Sequence, residues 1–385
     1  MNSRALLLLL LCAASVAAAA AAAPVCEQDH VRIDADFPGG DLDQCRFTSP
    51  HSVELTFRPE DHKVSDAFSW FAIRVVSDAP TTLALRLRFP DSYPRFWPKL
   101  SRDGQTWVRA ADAMVATAGK NMTVTVTTNA GPLWIAAQEL LTQDWYDAWI
   151  TELAGRAELA AAVIGTSVEG RPIQLLKSGN RREAILLLGR QHPVEVPGAL
   201  AMRDFVDTLL ADTELARQFR ARFTLLIVPL LNPDGVANGH SRHNAARTDL
   251  NRDWGTFTQP ETQAIARLLA SMQKLDMRPR LMLDFHATKM TQSLLFYAQA
   301  SDETTDPPGF AENWFAAVRA RLPQFEFEHL PQPSMKNPNT KGYFYRQYGI
   351  PAYTYELGDE ADRAEIHSTT PVFAEEMMRV MLESR

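Results

Sequence analysis

Three largely apolar runs, Ile185 to Leu188, Phe223 to Leu231 and Leu281 to Phe285, constrain the fold of this chain most. A strand with one wet face alternates apolar and polar residues, whereas a continuous apolar run is a strand buried on both faces. Between and after these runs the apolar residues recur at helical spacing. Leu200 to Leu210, Glu261 to Leu275 behind Pro260, Ala311 to Leu322 and Val372 to Leu382 are predicted helices. Ala352 to Leu357 is a late strand. Such alternation predicts, for residues 137–385, an α/β domain with a mixed, mainly parallel sheet flanked by helices.

Residues 24–136 follow another rule. Leu83, Leu85, Leu87 and Phe89 alternate with Ala84, Arg86 and Arg88, and Met122, Val124 and Val126 alternate with threonines. That is the period of a half-buried strand. Phe71, Ile73 and Val75 form another such run. Turn clusters such as Pro38-Gly39-Gly40 and Arg102-Asp103-Gly104 separate the strands. A small, antiparallel, all-β sandwich is predicted, with no catalytic constellation in it.

Residues 1–23 read as a signal peptide: Arg4, a leucine run from Leu6 to Leu11, then small alanines. The apolar core is short for a membrane span. The expected location is therefore periplasmic or secreted, with no stable membrane insertion after cleavage. The two cysteines left after the leader, Cys26 and Cys45, suggest one disulfide in an exported protein. The net charge of −7, without a basic stripe, speaks against nucleic acid as a partner.

The chemistry-bearing residues stand where strands end. The first apolar run leads into Gln191-His192-Pro193-Val194-Glu195, the third into Asp284-Phe285-His286, and the late strand into Glu356. Ligands of open α/β sheets bind beyond the carboxyl ends of strands. His192 and Glu195, three apart on a tight turn or first helical turn, can meet one ion, and a distant His286 completes two histidines and a carboxylate. That is the donor set of a hydrolytic zinc site with a fourth position open. Glu356 is the candidate for moving a proton between water and leaving nitrogen. Any single His-x-x-Glu match carries a high false-positive risk, and a lone histidine after a strand is more often simply hydrogen-bonded. The weight lies in the set and its order. Between the histidines come Asn232-Pro233-Asp234-Gly235, Ser241-Arg242-His243 and Asp249-Leu250-Asn251-Arg252-Asp253-Trp254. The Asn251-Arg252 pair and Arg242 offer forked donors for a carboxylate or oxyanion; the bland alternative is a solvated charged loop.

With HPVE, NPDG, DLNRDW, DFHAT and YTYEL in that order, from Gln191 to Leu357, the chain resembles the zinc metallocarboxypeptidases of the carboxypeptidase A type. The resemblance implies a zinc carboxypeptidase-like fold binding one Zn2+. His192, Glu195 and His286 are similar to the metal ligands, and Glu356 to the general base. Asn251 and Arg252 resemble the pair gripping the substrate's terminal carboxylate. Arg242 resembles the arginine that stabilises the oxyanion in the cytosolic carboxypeptidase branch, and Asp249 the carboxylate orienting the first histidine. The implied partner is a peptide with a free C-terminal carboxylate. The sandwich, with FSWFAIRV and SYPRFWPKLSRDGQTWVRA, is similar to the domain preceding the catalytic domain in that branch, from which an export signal departs.

Where the family places a mobile tyrosine, this chain reads Pro333-Ser334-Met335-Lys336-Asn337-Pro338, and Tyr343, Tyr345 or Tyr348 is left to substitute. The pocket for the last side chain is expected between Ser334 and Tyr343, where Lys336 and Lys341 either favour an acidic terminal residue or are ordinary surface lysines. Two other functions fit the same residues: a zinc amidohydrolase of small N-acyl amino acids, and a non-catalytic peptide-binding module.

Overall fold

The computed structural model describes residues 25–61, 68–154, 156, 159–289, 294–298, 304–331 and 337–384. The expected leader and Lys336 lie outside the described residues.

The first domain is a two-sheet sandwich. One sheet orders its strands Cys26–Gln28, Val31–Asp34, Ala72–Ser77, Gly131–Ala136, Lys99–Ser101, Val108–Arg109. The other runs Gln44–Ser49, Ser52–Thr56, Thr81–Arg88, Asn121–Thr128, Val115–Ala118. Leu83, Leu85 and Leu87 sit opposite Val126, Val124 and Met122 and are fully buried, as their alternation predicts. The sandwich is not wholly antiparallel. Ser52–Thr56 pairs in parallel with Thr81–Arg88, because the chain crosses to the other sheet and back between them. Cys26 and Cys45 are bonded, and their strands belong to different sheets, so the disulfide ties the two layers.

The second domain is built on eight strands in the order Leu159–Thr166, Pro172–Ser178, Phe223–Val228, Glu183–Gly189, Arg278–Thr288, Ala352–Gly358, Leu294–Ala298, Glu328–Pro331. The centre, from Phe223–Val228 to Ala352–Gly358, is parallel. The antiparallel hairpin at one edge and the antiparallel Leu294–Ala298 strand make the sheet mixed.

Each face of the sheet carries its own core. Leu281, Leu283 and Phe285 join the helices Val196–Leu209 and Arg363–Glu383 on one side. Met282 and Ala352 join the helix Pro260–Lys274 on the other. On this second face the alternation changes character towards the strand ends. Apolar Met282 and Ala352 give way to Asp284, His286, Thr354 and Glu356. Period-two geometry thus sets four polar side chains on one patch of an otherwise apolar surface.

Among the elements whose bounds differ from the sequence expectation, two have a clear physical reason. The second apolar run leaves the sheet at Val228, since Pro229 cannot donate to a ladder. The last helix begins at Arg363, nine residues before its apolar stripe, capped by Asp362, whose carboxylate accepts from the Ala364 and Glu365 backbone N–H groups.

Candidate active site

The strand Glu183–Gly189 leaves the sheet through Arg190, which takes a left-handed turn (φ 55°) and is buried. Its guanidinium donates to the Pro193 carbonyl at 2.7 and 3.0 Å and to the Tyr146 hydroxyl at 3.1 Å. The NPDG segment braces this loop from outside. Asn232 caps Gly235 N–H with its oxygen and donates to the Gln191 carbonyl. Gly235 has no room for a side chain, since a Cβ there would lie 2.6 Å from Pro193 and from the His243 carbonyl.

Glu195 is the N-cap residue of the helix Val196–Leu209, yet its carboxylate makes no capping bond. It turns to the two histidines instead. Its Oε1 lies 2.9 Å from His192 Nδ1 and its Oε2 lies 2.7 Å from His286 Nδ1. The three side chains are buried, and their ligating atoms lie within 4.8 Å of one another. Sequence reasoning named these three, and the structure brings them together.

Both imidazoles are backed by carboxylates. His192 Nε2 is 3.0 Å from Asp249 Oδ1. His286 Nε2 is 2.8 Å from Asp284 Oδ2, a charge contact without hydrogen-bond geometry. Asp249 also receives the Arg242 guanidinium, at 2.8 Å from Nε and 2.7 Å from Nη2. Asp284 accepts from the Gln191 amide at 2.6 Å, and that amide's oxygen accepts from the Trp254 indole. Asp284, Gln191 and Trp254 had only motif membership to mark them; their roles as supports emerge from these contacts.

The electrostatics follow the arrangement. Burial opposes protonation of the imidazoles, but Glu195 with Asp249 raises His192, and Asp284 with Glu195 raises His286 further. Burial opposes ionisation of Glu195, but the two imidazoles win and hold its carboxyl well below the usual range. Asp249 is depressed in the same way by His192, Arg242 and Arg252. A site that prefers two extra positive charges around one carboxylate is suited to a dication, and two nitrogens with one oxygen is a zinc donor set. The residues present fit that ion.

Glu356 stands directly across the parallel ladder from His286. Its Oε2 is buried without a hydrogen-bond partner. Burial and the neighbouring Glu195 push its pKa up to about 7, against the pull of His286, His192 and Lys341.

These residues share an open cavity of about 350 Å³ with Arg242, Asn251, Arg252 and Lys341. Asn251 Oδ1 is occupied by Thr340 N–H and hydroxyl, at 2.9 and 3.0 Å, so its amide NH2 is the end left for the cavity. Lys341 is only 4% exposed, not a surface lysine, and burial pushes its pKa down to about 8. Tyr343 does not reach the site: it packs on Trp254 and Phe257 in the core behind it. Tyr345 and Tyr348 do not line the cavity either. The sandwich contributes Phe68 and Arg95 to the rim. A larger cavity of about 500 Å³, near Met272 and Tyr348, holds no such set.

Comparison with known proteins agrees with this geometry. Residues 33–137 match the family described as the cytosolic carboxypeptidase N-terminal domain. The chain is 27% identical over 253 residues to an uncharacterized protein of Zymomonas mobilis, covering 63% of this chain and 64% of that one. It is 30% identical over 134 residues to mouse cytosolic carboxypeptidase 6, covering 32% of this chain but only 24% of the relative. In fold it is similar to a metallo-carboxypeptidase from Burkholderia cenocepacia, with a TM-score of 0.76, 21% identity, and 92% and 98% of the two chains covered. A Pseudomonas aeruginosa metallo-carboxypeptidase, solved with (2-guanidinoethylmercapto)succinic acid, gives 0.74 at 20% identity over 91% and 98%. Residues 146–375, which contain the whole constellation, match the zinc carboxypeptidase family, and the chain belongs to it.

Proposed function

We propose that this chain is an exported zinc-dependent metallocarboxypeptidase that releases the C-terminal residue of a peptide. One observation carries the reading: a buried His-Glu-His set, a carboxylate whose buried Oε2 has no hydrogen-bond partner, and the guanidinium groups of Arg242 and Arg252 open onto a single cavity.

His192, Glu195 and His286 would hold the ion. When bound, zinc supplies Lewis-acid polarisation and activates water near neutral pH. The chain's own residues do the rest. Asn251 and Arg252 bind the terminal carboxylate and set the register, so that only the last peptide bond reaches Glu356. Glu356 accepts the proton of the attacking water and delivers it to the departing nitrogen. Its buried Oε2 has no hydrogen-bond partner, and the side chain lines the same cavity as His192, Glu195 and His286, which suits it to proton transfer there. Arg242, held to Asp249 by a hydrogen bond from Nε and an ion-pair contact from Nη2, faces the cavity where charge develops on the carbonyl oxygen. Lys341, facing Glu356 from the same cavity, selects an acidic terminal side chain. The leader with Arg4 and its leucine run supports export.

The test is mass spectrometry of products from peptides with varied C-terminal residues. Single-residue release is expected, lost on chelation and restored by zinc. Glu356→Gln is expected to keep zinc and lose about 10²- to 10⁴-fold in kcat; full activity in that variant overturns the assignment of the base. Lys341→Met is expected to lower kcat/KM for acidic terminal residues about 30-fold, the loss of one buried charge pair, while leaving neutral ones little changed. A small N-acyl amino acid assayed in parallel separates peptidase from amidohydrolase.

A further inference from the structure

The segment carrying Arg242 is held by a residue of the other domain. Glu60, which follows the sandwich strand Ser52–Thr56, extends its carboxylate to residues 241–243. Its Oε2 accepts from the Ser241 backbone N–H and hydroxyl, both at 2.8 Å. Its Oε1 accepts from the Arg242 and His243 backbone N–H groups, both at 2.7 Å, and lies 3.0 Å from His243 Nδ1. The side chain is 6% exposed. Three successive backbone N–H groups converging on one ionised carboxylate define the conformation of that turn, since charge-assisted bonds are short and about twice as strong as neutral ones.

The turn has no regular structure to hold it otherwise: it lies in a loop between the short helix Pro233–Ala237 and the 3-10 turn Leu250–Arg252. Arg242 is therefore fixed from two sides, its backbone by Glu60 and its guanidinium by Asp249. Asp249 in turn touches His192. A continuous path of polar contacts runs from the sandwich through the arginine to the metal cluster.

We infer that Glu60 is a positioning residue of the active site: the sandwich domain, through this one carboxylate, places Arg242 where it meets the developing oxyanion. The inference rests on the proposed role of Arg242. It gives the sandwich a part in the reaction beyond the Phe68 and Arg95 that it contributes to the cavity rim.

The experiment is a double-mutant cycle on the full chain, with Glu60→Gln, Arg242→Ala and both together, read by kcat, KM and zinc content. Glu60→Gln keeps the shape but removes the charge. It is expected to lower kcat about 10-fold or more, a fraction of the 10²–10³ that losing an oxyanion donor costs, with KM changed less than about 2-fold and one zinc retained. In the Arg242→Ala background the same change is expected to cost nothing further, because coupled residues are non-additive. Equal losses in both backgrounds, or full kcat in Glu60→Gln, overturn the inference. Full kcat in Arg242→Ala instead overturns the role of the arginine, a distinct outcome. If Glu60→Gln does not fold, Ser241→Ala, which removes one hydroxyl bond to Glu60, runs through the same cycle. A kcat loss of about 2- to 5-fold that vanishes with Arg242→Ala supports the positioning role; an unchanged or additive one refutes it.

Discussion

At the residue scale, the cluster around Glu195 has a protonic consequence. The surrounding carboxylates raise both His192 and His286 above their ordinary value, so in the metal-free protein the imidazoles keep their protons to higher pH than free histidine does. An incoming dication must displace them. Zinc affinity is therefore expected to fall as pH falls, and binding near neutral pH to release protons. Calorimetry in buffers of different ionisation enthalpy measures their number; a value of zero would contradict the proton inventory. His286→Ala is expected to lose stoichiometric zinc, read by metal analysis of the purified protein. These three candidate ligands were legible from residue type and motif order. The supports Gln191 and Asp284 were not, because neither side chain has a purpose until the Arg278–Thr288 strand is laid beside the Glu183–Gly189 strand.

At the scale of elements, the site depends on how closely a helix meets a strand. Gly198, in the first turn of the helix Val196–Leu209, lies against the backbone of His286, and a Cβ there would fall 2.5 Å from its carbonyl oxygen. Gly198→Ala must push helix and strand apart, carrying Glu195 away from His286. A stability loss of about 1–3 kcal/mol is expected, visible as a lower urea midpoint, together with weaker zinc binding. The DLNRDW segment shows the same economy of space. Asp249 and Trp254 reach the metal loop, and Asn251 reaches Thr340. Asp253 anchors the N-terminus of the helix Pro260–Lys274 by accepting from Thr258, Gln259 and Thr262. Helix and strand identity could be read from periodicity. Their separation could not, since it depends on one missing methyl group.

At the scale of the whole molecule, the two domains form one working unit. Arg95 of the sandwich donates to both oxygens of Asp359, at 2.6 and 3.0 Å, three residues beyond Glu356. The pair is largely buried, at 8% and 2% side-chain exposure. Asp359→Ala leaves that guanidinium without its partner and is expected to cost about 3–5 kcal/mol in stability, measured by chemical denaturation. Val194 of the metal loop packs into the sandwich core, so sandwich and metal site share their packing. Acid should loosen the join. Burial works against ionisation of Glu60, but the hydrogen bonds from His243 and the Ser241 backbone, with His240 nearby, hold its carboxyl below the usual range. A depressed carboxylate contributes stability that is full above its unfolded pKa of about 4.3 and is lost as pH falls below it. The pH dependence of unfolding between about 4.3 and lower values is expected to flatten in Glu60→Gln.

The sequence alone determined which residues are apolar on which period, hence the sandwich, the parallel core strands and the chemical types at the strand ends. It also carried the motif order that marks the candidate zinc ligands and Glu356, because those groups sit at the ends of strands whose direction the α/β alternation dictates. Only the tertiary structure decided that Lys341 is buried in the cavity, that Tyr343 belongs to the core behind it, and that Glu60 holds the Arg242 turn. Each of these depends on contacts between segments remote in sequence. Hydrogen bonds and burial across such distances leave no period in the chain; they exist only once those segments are packed together.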